Sequence, residues 1–201
     1  NNDLRTMSTI GSCDNLLYLD ISENRLTSLT GISGLDSLVE LNASDNVISS
    51  ISALSSCEYL ESVDLSNNNI STVTALSNLE NLTSLVLDDN NISRLPEFPE
   101  TLTVFSAKNN KIASMDFISG LPSLSILDLS GNAIAEFPNL SKNKALKYLY
   151  LERNQLDTLS DGVQSAVSSA ETAGTEVKLL PQLVKGWQQH GDVRVYCLDN
   201  K

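Results

Sequence analysis

An asparagine that returns at a fixed step constrains this chain more than any other feature. Asn24, Asn46, Asn68 and Asn90 lie 22 residues apart, and Asn110, Asn132 and Asn154 continue the series after a single step of 20. Each closes the pattern LxxLxLxxN, most plainly in the stretch LESVDLSNNNISTV from Leu60 to Val73. That spacing is neither a helical period nor a plain alternation. Val63 and Leu65 alternate like the inward residues of a short strand, after which the chain must turn away at once. A buried turn strands backbone N–H and C=O groups, and an Asn amide carries the donors and the acceptor that can bridge them. A single coil of this kind cannot cover its own apolar flank, so the pattern predicts copies stacked side by side.

Taken in order, Asn2, Leu4 and Met7 match the second half of the pattern with no strand before them. The chain thus opens inside a repeat and is expected to be a segment of a longer protein. Full copies follow from Leu16, Leu38, Leu60, Leu82, Leu102, Leu124 and Leu146. The short step contains RLPEFPETL, where Pro96 and Pro99 forbid a regular helix and favour an extended or polyproline passage. Connections this short leave room for a turn of 3₁₀-helix and rarely for an α-helix. The long elements are therefore expected to be strands, laid parallel on one concave face.

After Leu159 the composition shifts. Ser160 to Thr175 is rich in Ser, Ala, Gly and Thr, with Val163, Ala166, Val167 and Ala170 at helical spacing and Ser160 or Asp161 as the cap. A second helix is expected to start near Pro181, carry Leu183, Val184 and Trp187, and end at Gly191. In DVRVYCLDNK, Val195, Cys197 and Asn200 repeat the spacing of Leu149, Leu151 and Asn154, so a last strand is expected to extend the sheet. Residues 160–201 read as one enlarged repeat or cap, with helices on the convex side, closing the repeat array of residues 1–159.

The coils ISALSSCEYLESVDLSNNNIS and VTALSNLENLTSLVLDDNNIS resemble the 22-residue leucine-rich repeats of the protein phosphatase 1 regulatory subunit, dynein light chain 1 and the internalins. RLPEFPETL is similar instead to the 20-residue repeats of bacterial effector proteins. The resemblance runs over residues 2–159. It implies an α/β solenoid, a horseshoe or arc with a parallel concave β-sheet, short 3₁₀ or irregular convex segments and an enlarged helical C-terminal repeat. It also implies a binding module and not an enzyme, because these families share a scaffold and bind unrelated partners.

Composition and motifs narrow the function classes further. The sequence holds no apolar run of about 18 residues, the length a membrane-crossing helix needs. A formal charge of −12 argues against nucleic acid or anionic lipid and favours a basic protein or peptide. Cys13, Cys57 and Cys197 are too few and odd in number for a disulfide framework. Cys13 and Cys57, each three residues before a repeat-opening leucine, are expected to be unpaired core residues. His190 is the sole histidine, expected at the end of a cap helix, and no nucleophile motif lies near it in the sequence. The DDNN run from Asp88 to Asn91 lacks the glycine and terminal glutamate of an EF-hand loop, so neither metal nor cofactor is expected. Five N-x-S/T sites, at Asn42, Asn69, Asn81, Asn91 and Asn139, read as by-products of the repeat. The expected compartment is the cytoplasm, or a bacterial or cell surface if the parent chain carries a signal peptide.

Function then falls to the residues flanking each inward pair, which point into the concave face. In the first half these are small, polar and acidic, with Asp20 and Asp64 among them. In the second half Val86, Val104, Ile126, Tyr148 and Tyr150 are expected to form a diagonal apolar and aromatic strip, beside Asp128. The reading is a protein-interaction module whose partner anchors on that strip, with Asp20, Asp64 and Asp128 steering a basic flank. The alternative is a structural or scaffolding repeat segment of a larger multidomain or surface protein.

Overall fold

The structure is a computed structural model that describes residues 2–7 and 10–182, and the backbone of residues 186–190 and 193–197. Eight three-residue strands line one sheet in chain order: β1 (Tyr18–Asp20), β2 (Glu40–Asn42), β3 (Ser62–Asp64), β4 (Ser84–Val86), β5 (Val104–Ser106), β6 (Ile126–Asp128), β7 (Tyr148–Tyr150) and β8 (Glu176–Lys178). All seven pairings are parallel. The register runs Leu19, Leu41, Val63, Leu85, Phe105, Leu127, Leu149, Val177, so every copy of the pattern delivers the same inward position to the core. Five convex returns are 3₁₀ turns, at Ile10–Ser12, Thr30–Ile32, Ser52–Ser56, Thr74–Leu76 and Asp116–Gly120. The repeat leucines between strand and turn are almost wholly buried in one continuous core. The sheet is open, and the molecule is the expected leucine-rich solenoid.

Each coil leaves its strand by a residue at positive φ just before the ladder asparagine. Glu23, Asp45, Asn67, Asp89, Asn109 and Arg153 lie between 52° and 56°, and Gly131 at 71°. Asp and Asn tolerate this left-handed region better than most side chains, whereas Glu23 and Arg153 are held there by the coil around them. The 20-residue step has no 3₁₀ turn, and its missing bulk is filled by aromatic rings. Phe98, Phe105 and Phe117 pack with centroids 5.1, 5.8 and 6.2 Å apart; Phe105 stands in register with Leu85 and Leu127, and Phe117 takes the place that Ala53 and Ala75 hold in other coils.

The C-terminal coil departs from the sequence reading. Helix α1 (Asp161–Thr172) forms, and Ser160 Oγ caps it by accepting from the Val163 N–H at 3.3 Å. The second helix does not form, because Gly186–His190 is a strand, β9, paired antiparallel with β10 (Val193–Cys197) as a separate two-stranded sheet. His190 therefore ends a strand and not a cap helix. Trp187, Val193, Val195 and Tyr196 are aromatic or β-branched, which favours the pleated form over the helix. The last strand does not extend the parallel sheet either. The place beside β7 is taken by β8, which follows α1 directly. Leu183, Val184, Gly191 and Asn200 lie outside the described residues. Cys57 is buried as expected, but Cys13 is exposed, because it lies in the partial copy ahead of Leu16 and no described coil packs over its outer side.

Candidate functional site

Beneath the concave face a ladder of amides ties the coils together. Asn68 is representative: its Nδ2 donates to the carbonyls of Leu65 and Ser66 in its own coil and Ala43 in the preceding one, at 3.0–3.1 Å. Its Oδ1 accepts from the Ile48 N–H at 2.9 Å. Asn46, Asn90, Asn110, Asn132 and Asn154 repeat this set. Asn24 bonds Ile21 O and Ser22 O and accepts from the N–H of Leu4, which lies in the partial first copy. One rung was invisible in the sequence. Gln182 lies five residues after Val177, as Asn154 lies five after Leu149. Its Oε1 accepts from Leu156 N at 3.1 Å, and its Nε2 donates to Leu151 O at 2.9 Å and to Leu179 O. A longer amide does the asparagine's work in the enlarged coil.

On the face itself the acidic residues carry a second, shallower ladder. Asp20, Asp64 and Asp128 each accept from the N–H and the hydroxyl of the serine two residues on, Ser22, Ser66 and Ser130, at 2.7–3.0 Å. Asn42 does the same for Ser44 without a charge. The Ser22 bonds hold the Asp20 carboxyl below its usual value. At β4 the device shifts by two residues, because Val86 takes the acidic place and Asp88 that of the serine. Asp88 then reaches into the next coil to accept from Ser106 Oγ at 2.6 Å and Lys108 N at 2.9 Å. Lys108 Nζ lies 3.0 Å from Asp88 and 4.0 Å from Asp128. Its hydrogen bond to Asp88 raises the ammonium above the ordinary lysine value despite partial burial. Asp128 thus shares a cation, whereas among the described residues Asp20 and Asp64 have no lysine or arginine partner.

The apolar strip lies where the alternation places it. Val104, Ile126 and Tyr148 stand in one register column across β5, β6 and β7, with Val86 and Tyr150 in the adjacent column. Val86, Val104, Ile126 and Tyr150 are half-buried and Tyr148 is 39% exposed. The Tyr148 and Tyr150 rings are parallel within 2°, centroids 6.4 Å apart, and Lys178 Nζ lies 5.0 Å from the Tyr150 ring. Sequence reasoning missed that β8 brings Glu176 and Lys178 onto this face, having assigned the last strand to residues further on. Tyr18, on β1 at the opposite end of the sheet, is 63% exposed.

Comparison with known proteins fits this geometry. The family described as Leucine Rich repeats (2 copies) matches residues 36–78 and 100–142. No curated protein matches the sequence. Among solved structures, internalin C2 of Listeria monocytogenes superposes with a TM-score of 0.80 at 28% identity, covering 89% of this chain and 77% of that one. Internalin F of the same organism superposes at 0.79 with 21% identity, over 89% of this chain and 52% of that chain, a likeness of fold alone. The leucine-rich FLRT2 in an octameric complex with Latrophilin 3 and Unc5D matches at 0.65 and 25% identity, over 74% of this chain and 49% of that one. This chain spans about three quarters of internalin C2 and about half of the other two. The chain is built from leucine-rich repeats. Domains of this class are protein–protein interaction modules, non-enzymatic scaffolds that act by presenting a surface.

Proposed function

We propose that the concave face binds a protein or peptide partner, anchored on Val86, Val104, Ile126, Tyr148 and Tyr150, with a basic flank drawn in by Asp20, Asp64 and Asp128. The observation that carries the reading is the register of the strip. Val104, Ile126 and Tyr148 follow one another on adjacent strands, about 4.8 Å apart. They run into a tyrosine pair with 39% of Tyr148 open to solvent. Aromatic side chains with apolar neighbours are where binding energy concentrates, often 2 kcal/mol or more for a single anchor. The acidic residues act on the rate of encounter. Capture of partners from native extract by wild-type protein and by the Tyr148→Ala, Tyr150→Ala double variant, both checked as folded, tests the site. Loss of a partner bound by wild type, with faster dissociation of any remainder, is expected. An unchanged set of retained partners moves the site off this face.

A further inference from the structure

Lys178 reveals which way the tyrosine rings face. It pairs in register with Tyr150 on the neighbouring strand, and its Nζ lies over that ring, 5.0 Å from the centroid. The ring of Tyr150 therefore looks along the sheet toward β8. Tyr148 is parallel to it within 2°, at a centroid spacing of 6.4 Å, so the two rings turn their faces in the same direction. Opposite Tyr148 on β8 is Glu176. The ammonium that covers Tyr150 lies 3.5 Å from Glu176 Oε1, which joins ring, cation and carboxylate in one set. The Tyr148 half has the ring and the carboxylate, both open to solvent, and among the described residues no cation lies over it.

We propose that Tyr148 and Glu176 form an arginine subsite, in which a guanidinium of the partner stacks on the ring and hydrogen-bonds the carboxylate. The inference rests on the concave-face reading and names the chemical group that the tyrosine pair receives. Arginine fits better than lysine. A planar guanidinium lies flat on an aromatic face while its N–H edge meets a carboxylate, and it is more weakly hydrated than an ammonium. The chain's formal charge of −12 supplies complementarity to a basic segment. Ile126 and Val104, next in the same column, would then meet an apolar side chain beside the arginine.

The test uses the full chain and three blocked tripeptides, glycine–X–glycine with arginine, citrulline or leucine at the centre, followed by NMR of the tyrosine ring and backbone amide resonances. Saturable shifts of Tyr148 and Glu176 with the arginine peptide are expected, and weaker ones with citrulline, which keeps the shape and loses the charge. Tyr148→Leu and Glu176→Gln, each folded by amide dispersion, should each weaken the arginine peptide by about two- to fivefold. Equal response to arginine and citrulline, or no loss in either variant, overturns the subsite. If the leucine peptide shifts Val104 and Ile126 while the arginine peptide shifts nothing, the subsite fails and the concave-face reading stands. If the partner capture is lost in the double tyrosine variant yet no peptide shifts Tyr148, the subsite fails alone.

Discussion

A single amide in this protein settles four backbone groups at once. Asn68 is 6% exposed and serves three carbonyls and one N–H across two coils, so Asn68→Ala leaves buried polar groups unpaired on both sides of a coil junction. Each lost partner costs about 1–3 kcal/mol, and an exposed change such as Ser71→Ala stays within about 0.5 kcal/mol. Urea unfolding should therefore show a much lower midpoint for the first variant and an unchanged one for the second. The concave aspartates obey a different rule. Asn42 already performs the hydrogen bonding of Asp64 without its charge, so Asp64→Asn should leave stability nearly unaltered while removing a negative charge from the face. Lys108 titrates against this background. Its folded value is raised by Asp88, so its stabilisation is complete below the ordinary lysine pKa and is lost as pH rises through the raised one. Lys108→Met should flatten the alkaline fall of the urea midpoint, by less than about 1 kcal/mol because the side chain is 41% exposed.

Between residue and molecule lies the coil, and here legibility in the sequence followed how closely a coil keeps the common spacing. Strands β1 to β7 were readable because alternation fixes the inward residue and the asparagine fixes the turn, and a slip of one residue would expose every leucine. The same alternation named Val86, Val104, Ile126, Tyr148 and Tyr150 as facing away from the core. The eighth strand was hidden because Glu176 and Lys178 flank a single valine and a glutamine stands at the ladder position, while Val195, Cys197 and Asn200 offered a better match in letters. Hydrogen-bonding capacity, which Gln shares with Asn, was the missing criterion. Gln182→Ala should accordingly unlock the C-terminal coil alone, speeding hydrogen exchange at the Leu156 amide by about tenfold or more and leaving the amides of β1 to β4 unchanged. Position in the stack also separates the two thiols that the sequence treated as equivalent. Cys13 is exposed, whereas burial pushes the Cys57 thiol up and keeps it protonated. An alkylating reagent should modify Cys13 in the native protein and Cys57 only after unfolding, as peptide mass mapping would show.

At the scale of the whole molecule, every strand pairs only with its sequence neighbours, so the array is a row of nearest-neighbour contacts with no element spanning it. Its charge acts collectively. The triple variant Asp20→Asn, Asp64→Asn, Asp128→Asn keeps the serine bonds, and should slow association with a basic partner and flatten its dependence on salt while leaving dissociation little changed. The row also has a mechanical meaning. Held by its two ends and stretched, a chain whose coils touch only their neighbours should give way from an end, one coil per rupture. Each coil of 22 residues then releases about 73–79 Å of contour, and the coil of 20 between Asn90 and Asn110 about 66–72 Å. In an optical trap the force–extension trace should read as a graduated ruler with one short division and, for the enlarged coil from Asn154 to Gln182, one long one, and their places in the series report the end from which the spring uncoils.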